Sequence, residues 1–122
     1  MNFYAQELVD HYKNPKNLGE LKDPDFKTEE YNPSCGDKVQ FFVCLHDDRI
    51  SAISFLGFGC VISQATASML SEYVKNIPID EILALDAAAI TNLIKLELGP
   101  TRLRCALLPL YALQKGIRAY RS

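Results

Sequence analysis

An α+β fold, a small three-stranded antiparallel sheet packed against about five helices, is predicted by three features of this 122-residue chain. Val39, Phe41, Val43 and Leu45 alternate with Gln40, Phe42, Cys44 and His46, the period-2 pattern of a strand. Asp47-Asp48 separates that run from a second, Arg49 to Phe58, which is rich in Ile and Phe, as a hairpin turn would. From Ile62 onward apolar residues recur at helical spacing instead, giving the order α-β-β-β-α-α-α-α.

Each element has its own signal. Tyr4, Ala5, Leu8, Val9 and Tyr12 share one helix face, and Asn14-Pro15-Lys16-Asn17-Leu18-Gly19 stops that helix with a proline and turn formers. Residues 20–25, with Asp23-Pro24-Asp25, read as a loop; Phe26 to Tyr31 reads as a short strand, and Asn32-Pro33-Ser34 turns the chain. Ile62, Ala65, Thr66, Met69, Leu70, Tyr73 and Val74 stripe a helix that Pro78 separates from a short one near Asp80 to Leu85. Asp86 is the expected N-cap of a helix over Ala87 to Leu98, with Gly99 as its stop. Pro100 and Thr101 lead into a last helix striped by Leu103, Ala106, Leu107, Leu110, Leu113 and Ile117, in which Pro109 is expected to introduce a bend.

The length suits one domain, residues 1–122, able to bury most of its apolar surface without disulfides. A net charge of -2 with dispersed basic residues argues against a nucleic-acid binder. Charged or polar residues interrupt every apolar run well short of the roughly 20 residues that span a membrane. The opening Met-Asn-Phe-Tyr-Ala-Gln-Glu lacks the features of a secretory signal, so a cytoplasmic location is expected. In that reducing compartment the four cysteines point to metal or reactive chemistry more than to disulfides.

Three of those cysteines stand beside backbone features that suit a thiolate. Cys35 and Asp37 flank Gly36, which is free to take positive φ and so to let both side chains turn toward one point. Cys60 follows Gly57-Phe58-Gly59 at a strand-to-helix junction, and Cys105 is expected in the first turn of the last helix, where unpaired N–H groups lower a thiol's pKa. Cys35, Asp37, Cys60 and Cys105 are therefore the candidate ligands of one centre. Thiolates suit zinc, iron and iron-sulfur clusters, and the hard oxygen of Asp37 would be the weakest of the four ligands toward a soft cluster. Arg104 has no lone pair to offer a metal but is a candidate counter-charge beside the site. Cys44, in mid-strand, reads as packing, and His11 and His46 read as surface or packing residues.

Taken together, four segments resemble the N-terminal family of IscU, SufU and NifU iron-sulfur cluster assembly scaffolds. They are His11-Tyr12-Lys13-Asn14-Pro15-Lys16-Asn17-Leu18-Gly19, Asn32-Pro33-Ser34-Cys35-Gly36-Asp37, Gly57-Phe58-Gly59-Cys60 with the Ser63-Ala65-Ser68 helix, and Arg102-Leu103-Arg104-Cys105. The resemblance implies that Cys35, Asp37, Cys60 and Cys105 gather at one exposed end of the fold. It implies a scaffold that accepts persulfide sulfur from a cysteine desulfurase, with Cys105 as acceptor, builds a 2Fe-2S cluster and hands it to apo-proteins. A monomer or weak oligomer is expected, not an enzyme turning over a small molecule. The alternative is a zinc-dependent sulfurtransferase in which Zn2+ occupies the site and Cys105 relays persulfide.

Arg104 stands where the IscU branch has histidine. The SufU branch also lacks that histidine, but it carries an insertion between the second and third cysteines that is missing here. Leu98-Gly99-Pro100-Thr101-Arg102 occupies the place of the Leu-Pro-Pro-Val-Lys segment read by the family's chaperone pair.

Overall fold

The computed structural model describes residues 3–122. Its elements are α1 (Phe3–Lys13), β1 (Phe26–Asn32), β2 (Asp37–His46), β3 (Arg49–Phe58), α2 (Val61–Tyr73), α3 (Ile79–Leu83), α4 (Ala87–Ile94) and α5 (Pro100–Arg121). The three strands form one antiparallel meander in the order β1-β2-β3. The pairing sets Thr28 opposite Phe41 and Phe41 opposite Phe55, so one face carries an aromatic and β-branched ladder. Asp47 and Asp48 both take positive φ, 52° and 59°, the backbone that a tight two-residue hairpin requires and that aspartate tolerates.

The core lies between that ladder and two long helices. Val39, Phe41, Val43 and Phe55 from the sheet meet Ala65 and Leu70 of α2 and Leu110, Leu113 and Ile117 of α5, each of them almost wholly excluded from water. Burial of this kind contributes about 1.5–3 kcal/mol per large side chain and is the main force holding the layers together. A directional bond adds to it: the Thr28 hydroxyl donates to the Ala112 carbonyl at 2.8 Å, fixing α5 against β1. Gln114, buried on α5, donates to the carbonyls of Ile82 and Leu85 at 3.0 and 2.9 Å and so ties the last turn around α3 to the long helix.

Segment 14–19, where the first helix stops, is tied down by contacts to α2 and β3. The Ser68 hydroxyl receives the Lys16 amide at 2.8 Å and meets His11 Nδ1 at 2.7 Å. Asn17 Nδ2 donates to Ser71 Oγ at 2.9 Å, while Leu18 forms a parallel bridge to Phe55 at the outer edge of β3. The small polar residues of α2 thereby seat the end of α1 beside β3. Residues 20–25 then carry the chain to β1, passing Cys44, whose sulfur lies 4.0 Å from the Asp23 carbonyl.

Two expectations need correction. α4 ends at Ile94, not at Leu98, because Lys95 turns left-handed with φ 57° and sends half-buried Leu96 and Leu98 onto the core in irregular chain. Gly99 consequently is not a stop for α4 but the N-cap of α5, with Pro100 at the first helical position. Helix α5 continues through Pro109, as the apolar stripe predicts. Proline has no amide hydrogen, so the carbonyl one turn earlier, that of Cys105, lacks its usual donor four residues on.

Candidate metal and sulfur site

The turn between β1 and β2 presents the first cysteine. Gly36 N and Ser34 N donate to the Asn32 carbonyl and side chain at 2.8 and 3.0 Å, and Gly36 takes φ +77°, closing a turn that leaves Cys35 exposed. One residue later the chain enters β2, and Asp37 is swallowed, with only 1% of its surface exposed.

A carboxylate so buried needs partners. Asp37 Oδ1 accepts the Cys60 amide at 2.8 Å, and Asp37 Oδ2 lies 3.3 Å from the Cys60 sulfur. This approach is possible only because residue 59 is glycine: its φ is +129°, and a Cβ there would collide with the Asp37 carboxylate and backbone. Cys60 is also the N-cap of α2, its sulfur accepting the Ser63 amide at 3.4 Å. Cys60 thus meets one of the otherwise unpaired amides of the helix start directly.

Cys105 completes the group from α5. Its sulfur sits 3.7 Å from that of Cys35, and the ligand atoms of Cys35, Asp37 and Cys105 all lie within 4.8 Å of one another. Cys60 joins them through Asp37. The four residues thus come from a turn, a strand start, a helix cap and a helix.

The expectation for Cys105 itself is wrong in one respect. It lies in the second turn of α5, beyond the unpaired amides, and it is 5% exposed. Burial, reinforced by the Asp37 carboxylate and the Cys60 and Cys35 thiols, pushes its thiol strongly up from the usual value instead of down. For Asp37 burial also works upward, but the Cys60 amide and the Cys35, Cys105 and Cys60 thiols together outweigh it and hold the carboxyl below its usual value. The metal-free site is accordingly a carboxylate surrounded by thiols, poised to exchange thiol protons for a cation. The gathering is also less superficial than an exposed end, since Cys35 alone of the four is exposed.

The linkage gives a testable sign. A thiol whose folded pKa is raised stabilises the fold below its unfolded value, about 8.5, and that contribution is lost as pH rises toward the folded value. Metal-free protein is expected to lose stability above about pH 8.5 in urea melts. The fall should be smaller in Cys105→Ala, and equal slopes for the two proteins would refute the account.

Arg104 is exposed and shares the wall of a small cavity with Asn32, Ser34, Cys35 and Thr101, placing it beside the most accessible thiol. Cys44 stays outside the group, packed near Asp23. His11 is half-buried against Ser68, and His46 is exposed at the hairpin, 3.3 Å from Asp47. Two contributors escape the sequence reading. Gly59 makes room for Asp37, and Ser63 caps onto Cys60 through the residue-plus-three spacing that an N-cap serves.

The family model for the NifU-like N-terminal domain matches residues 3–122. The chain belongs to this family. It is 33% identical to the iron-sulfur cluster assembly scaffold protein IscU 1 of Archaeoglobus fulgidus over 117 residues, which span 96% of this chain and 76% of that protein. It is 34% identical to the zinc-dependent sulfurtransferase SufU of Bacillus subtilis, covering 93% of this chain and 88% of SufU. That alignment runs to 131 positions, more than the 122 residues here, so SufU carries residues within the matched span that this family member does not have. A solved structure from Fervidobacterium islandicum, assigned as a SUF-system scaffold, superposes with a TM-score of 0.80 at 26% identity, covering 92% of this chain and 94% of that one. Scaffold proteins of iron-sulfur assembly recur among the relatives, and the chain reads as one of them.

Proposed function

We propose that this family member accepts sulfur from a cysteine desulfurase at Cys105, assembles a 2Fe-2S cluster on Cys35, Asp37, Cys60 and Cys105, and passes it to apo-proteins. The observation that carries the reading is the 3.7 Å approach of the Cys35 and Cys105 sulfurs beside a carboxylate that is buried yet has no basic partner among the described residues. Three thiols and one oxygen suit iron with sulfide, and the single hard ligand is the place where cargo would detach. Exposed Cys35 gives incoming sulfur and iron a way in, while Asp37 and the core hold the donors in position. Arg104 would offset part of the negative charge of the loaded site.

Anaerobic reconstitution with iron, cysteine and a desulfurase tests the reading. A charge-transfer spectrum that disappears on addition of an apo-acceptor supports it, and a colourless product would overturn it.

A second reading, a zinc-dependent sulfurtransferase, is favoured by the 34% identity to SufU and by Arg104 in the histidine's place. The donor set fits zinc as well: Cys35, Asp37 and Cys105 bring two sulfurs and one oxygen within 4.8 Å of one another, and Cys60, 3.3 Å from Asp37, would supply the third sulfur of a tetrahedral set. Cys35, Asp37 and Cys60 would hold it, and zinc would supply charge that keeps the thiols ionised. Tight zinc with faster desulfurase turnover and no colour would select this reading.

Under either reading the cradle around Asp37 is decisive. Gly59→Ala should weaken zinc binding in a competition titration by about 10- to 100-fold, as losses of supporting residues around metal ligands do. Affinity equal to the parent's would mean that Asp37 is not a ligand.

A further inference from the structure

We infer that Cys35 is a resolving thiol, which releases sulfide from a Cys105 persulfide by forming a Cys35–Cys105 disulfide in the metal-free site. This rests on the reading of Cys105 as sulfur acceptor.

The geometry separates the two cysteines that could play this part. Cys35 Sγ lies 3.7 Å from Cys105 Sγ, so a shift of under 2 Å brings it to the roughly 2.05 Å of a disulfide. Cys35 is also exposed, and it rides on a turn whose Gly36 takes φ +77° with open space around it, so the thiol can move without disturbing the core. Cys60 is differently placed. Its sulfur accepts the Ser63 amide, lies 3.3 Å from Asp37 Oδ2 and caps α2, so bringing it onto Cys105 would undo a helix cap.

The contact also selects which sulfur is attacked. In a persulfide on Cys105 the inner atom is Sγ, the atom that Cys35 already touches. Attack on the outer atom would only move the sulfane sulfur to Cys35. Attack on Sγ does something else: the Cys35 thiolate gives its electron pair to a new S–S bond with Cys105 Sγ, the old S–S bond breaks, and its pair leaves with the outer sulfur as HS⁻. The two cysteines together lose two electrons, the sulfane sulfur gains them, and the proton already on the outer sulfur leaves with it. The cavity lined by Cys35, Thr101 and Arg104 opens beside this point and gives hydrosulfide an exit past a permanent cation. A dithiol reductant then reduces the disulfide and resets the site. Sulfide is thereby delivered where iron is to be bound, with electrons from the scaffold's own thiols.

The test is a single turnover on chelator-treated, fully reduced protein, with desulfurase and cysteine, no iron and no added reductant. Trapped sulfide should appear in step with a Cys35–Cys105-linked peptide lighter by two hydrogens. Cys35→Ser should retain persulfide on Cys105 and release no sulfide, whereas Cys60→Ser should still release it. Circular dichroism confirms that both variants are folded. Persistent persulfide without sulfide in the parent would overturn the resolving role and leave the acceptor reading standing. A Cys60–Cys105 link would overturn the choice of Cys35. Absence of persulfide from Cys105 in every variant would overturn the acceptor reading and this inference with it.

Discussion

Cys105→Ser is expected to abolish sulfur loading. After treatment with desulfurase and cysteine, mass spectrometry should find no added sulfur on the variant, while Cys35→Ser and Cys60→Ser should still gain it at residue 105. The reason is chemical: a serine hydroxyl has no sulfur with which to take up sulfane sulfur as a persulfide, and residue 105 lies at the inner end of the group, in contact with Cys35. The structural cost is small. Serine is close to cysteine in volume and has acceptors nearby, so about 1 kcal/mol of stability should be lost, well short of unfolding. Persulfide found on Cys35 or Cys60 of the Cys105→Ser protein would move the acceptor role to that residue.

Asp37→Ala is expected to keep cargo in place longer. The carboxylate is the one oxygen among sulfurs, and removing it leaves soft ligands whose bonds to iron exchange more slowly. Transfer to an apo-acceptor, followed by loss of the visible band, should slow by about tenfold, equivalent to about 1.4 kcal/mol in the barrier. Asp37 has a second role that this change also removes, since its Oδ1 holds the Cys60 amide. Asp37→Asn separates the two, because asparagine keeps the acceptor and loses the charge. If Asp37→Asn transfers as fast as the parent while Asp37→Ala is slow, the position of Cys60 matters and the carboxylate ligand does not.

Much of this arrangement is legible in the sequence, for identifiable reasons. The strands show because their alternation reflects a sheet with one covered face, and β3 begins and ends where Arg49 and Phe58 predict. Cys35 announces itself through Gly36, whose positive φ the structure bears out at +77°, and Cys60 through its place after a glycine pair at a strand-to-helix junction. The remainder depends on contacts distant along the chain. That Gly59 is empty space for Asp37 can be known only when β2 lies beside the end of β3. That Cys105 is buried, with its thiol pushed up, depends on what α5 packs against, and helix position alone gives the opposite sign. The end of α4 is missed because Leu96 and Leu98 continue a helical pattern while tertiary packing draws them out of the helix onto the core. Histidine 11 carries no sign in its own neighbourhood that Ser68, far along the chain, will hold it.

Pro109 gives α5 an uneven mechanical profile. The backbone rung that would clamp the turn of Cys105 from below is missing, yet Leu110, Leu113 and Ile117 anchor the remainder of the rod. The turn that carries Cys105 is therefore held by one backbone bond fewer than the stretch of the rod beyond it.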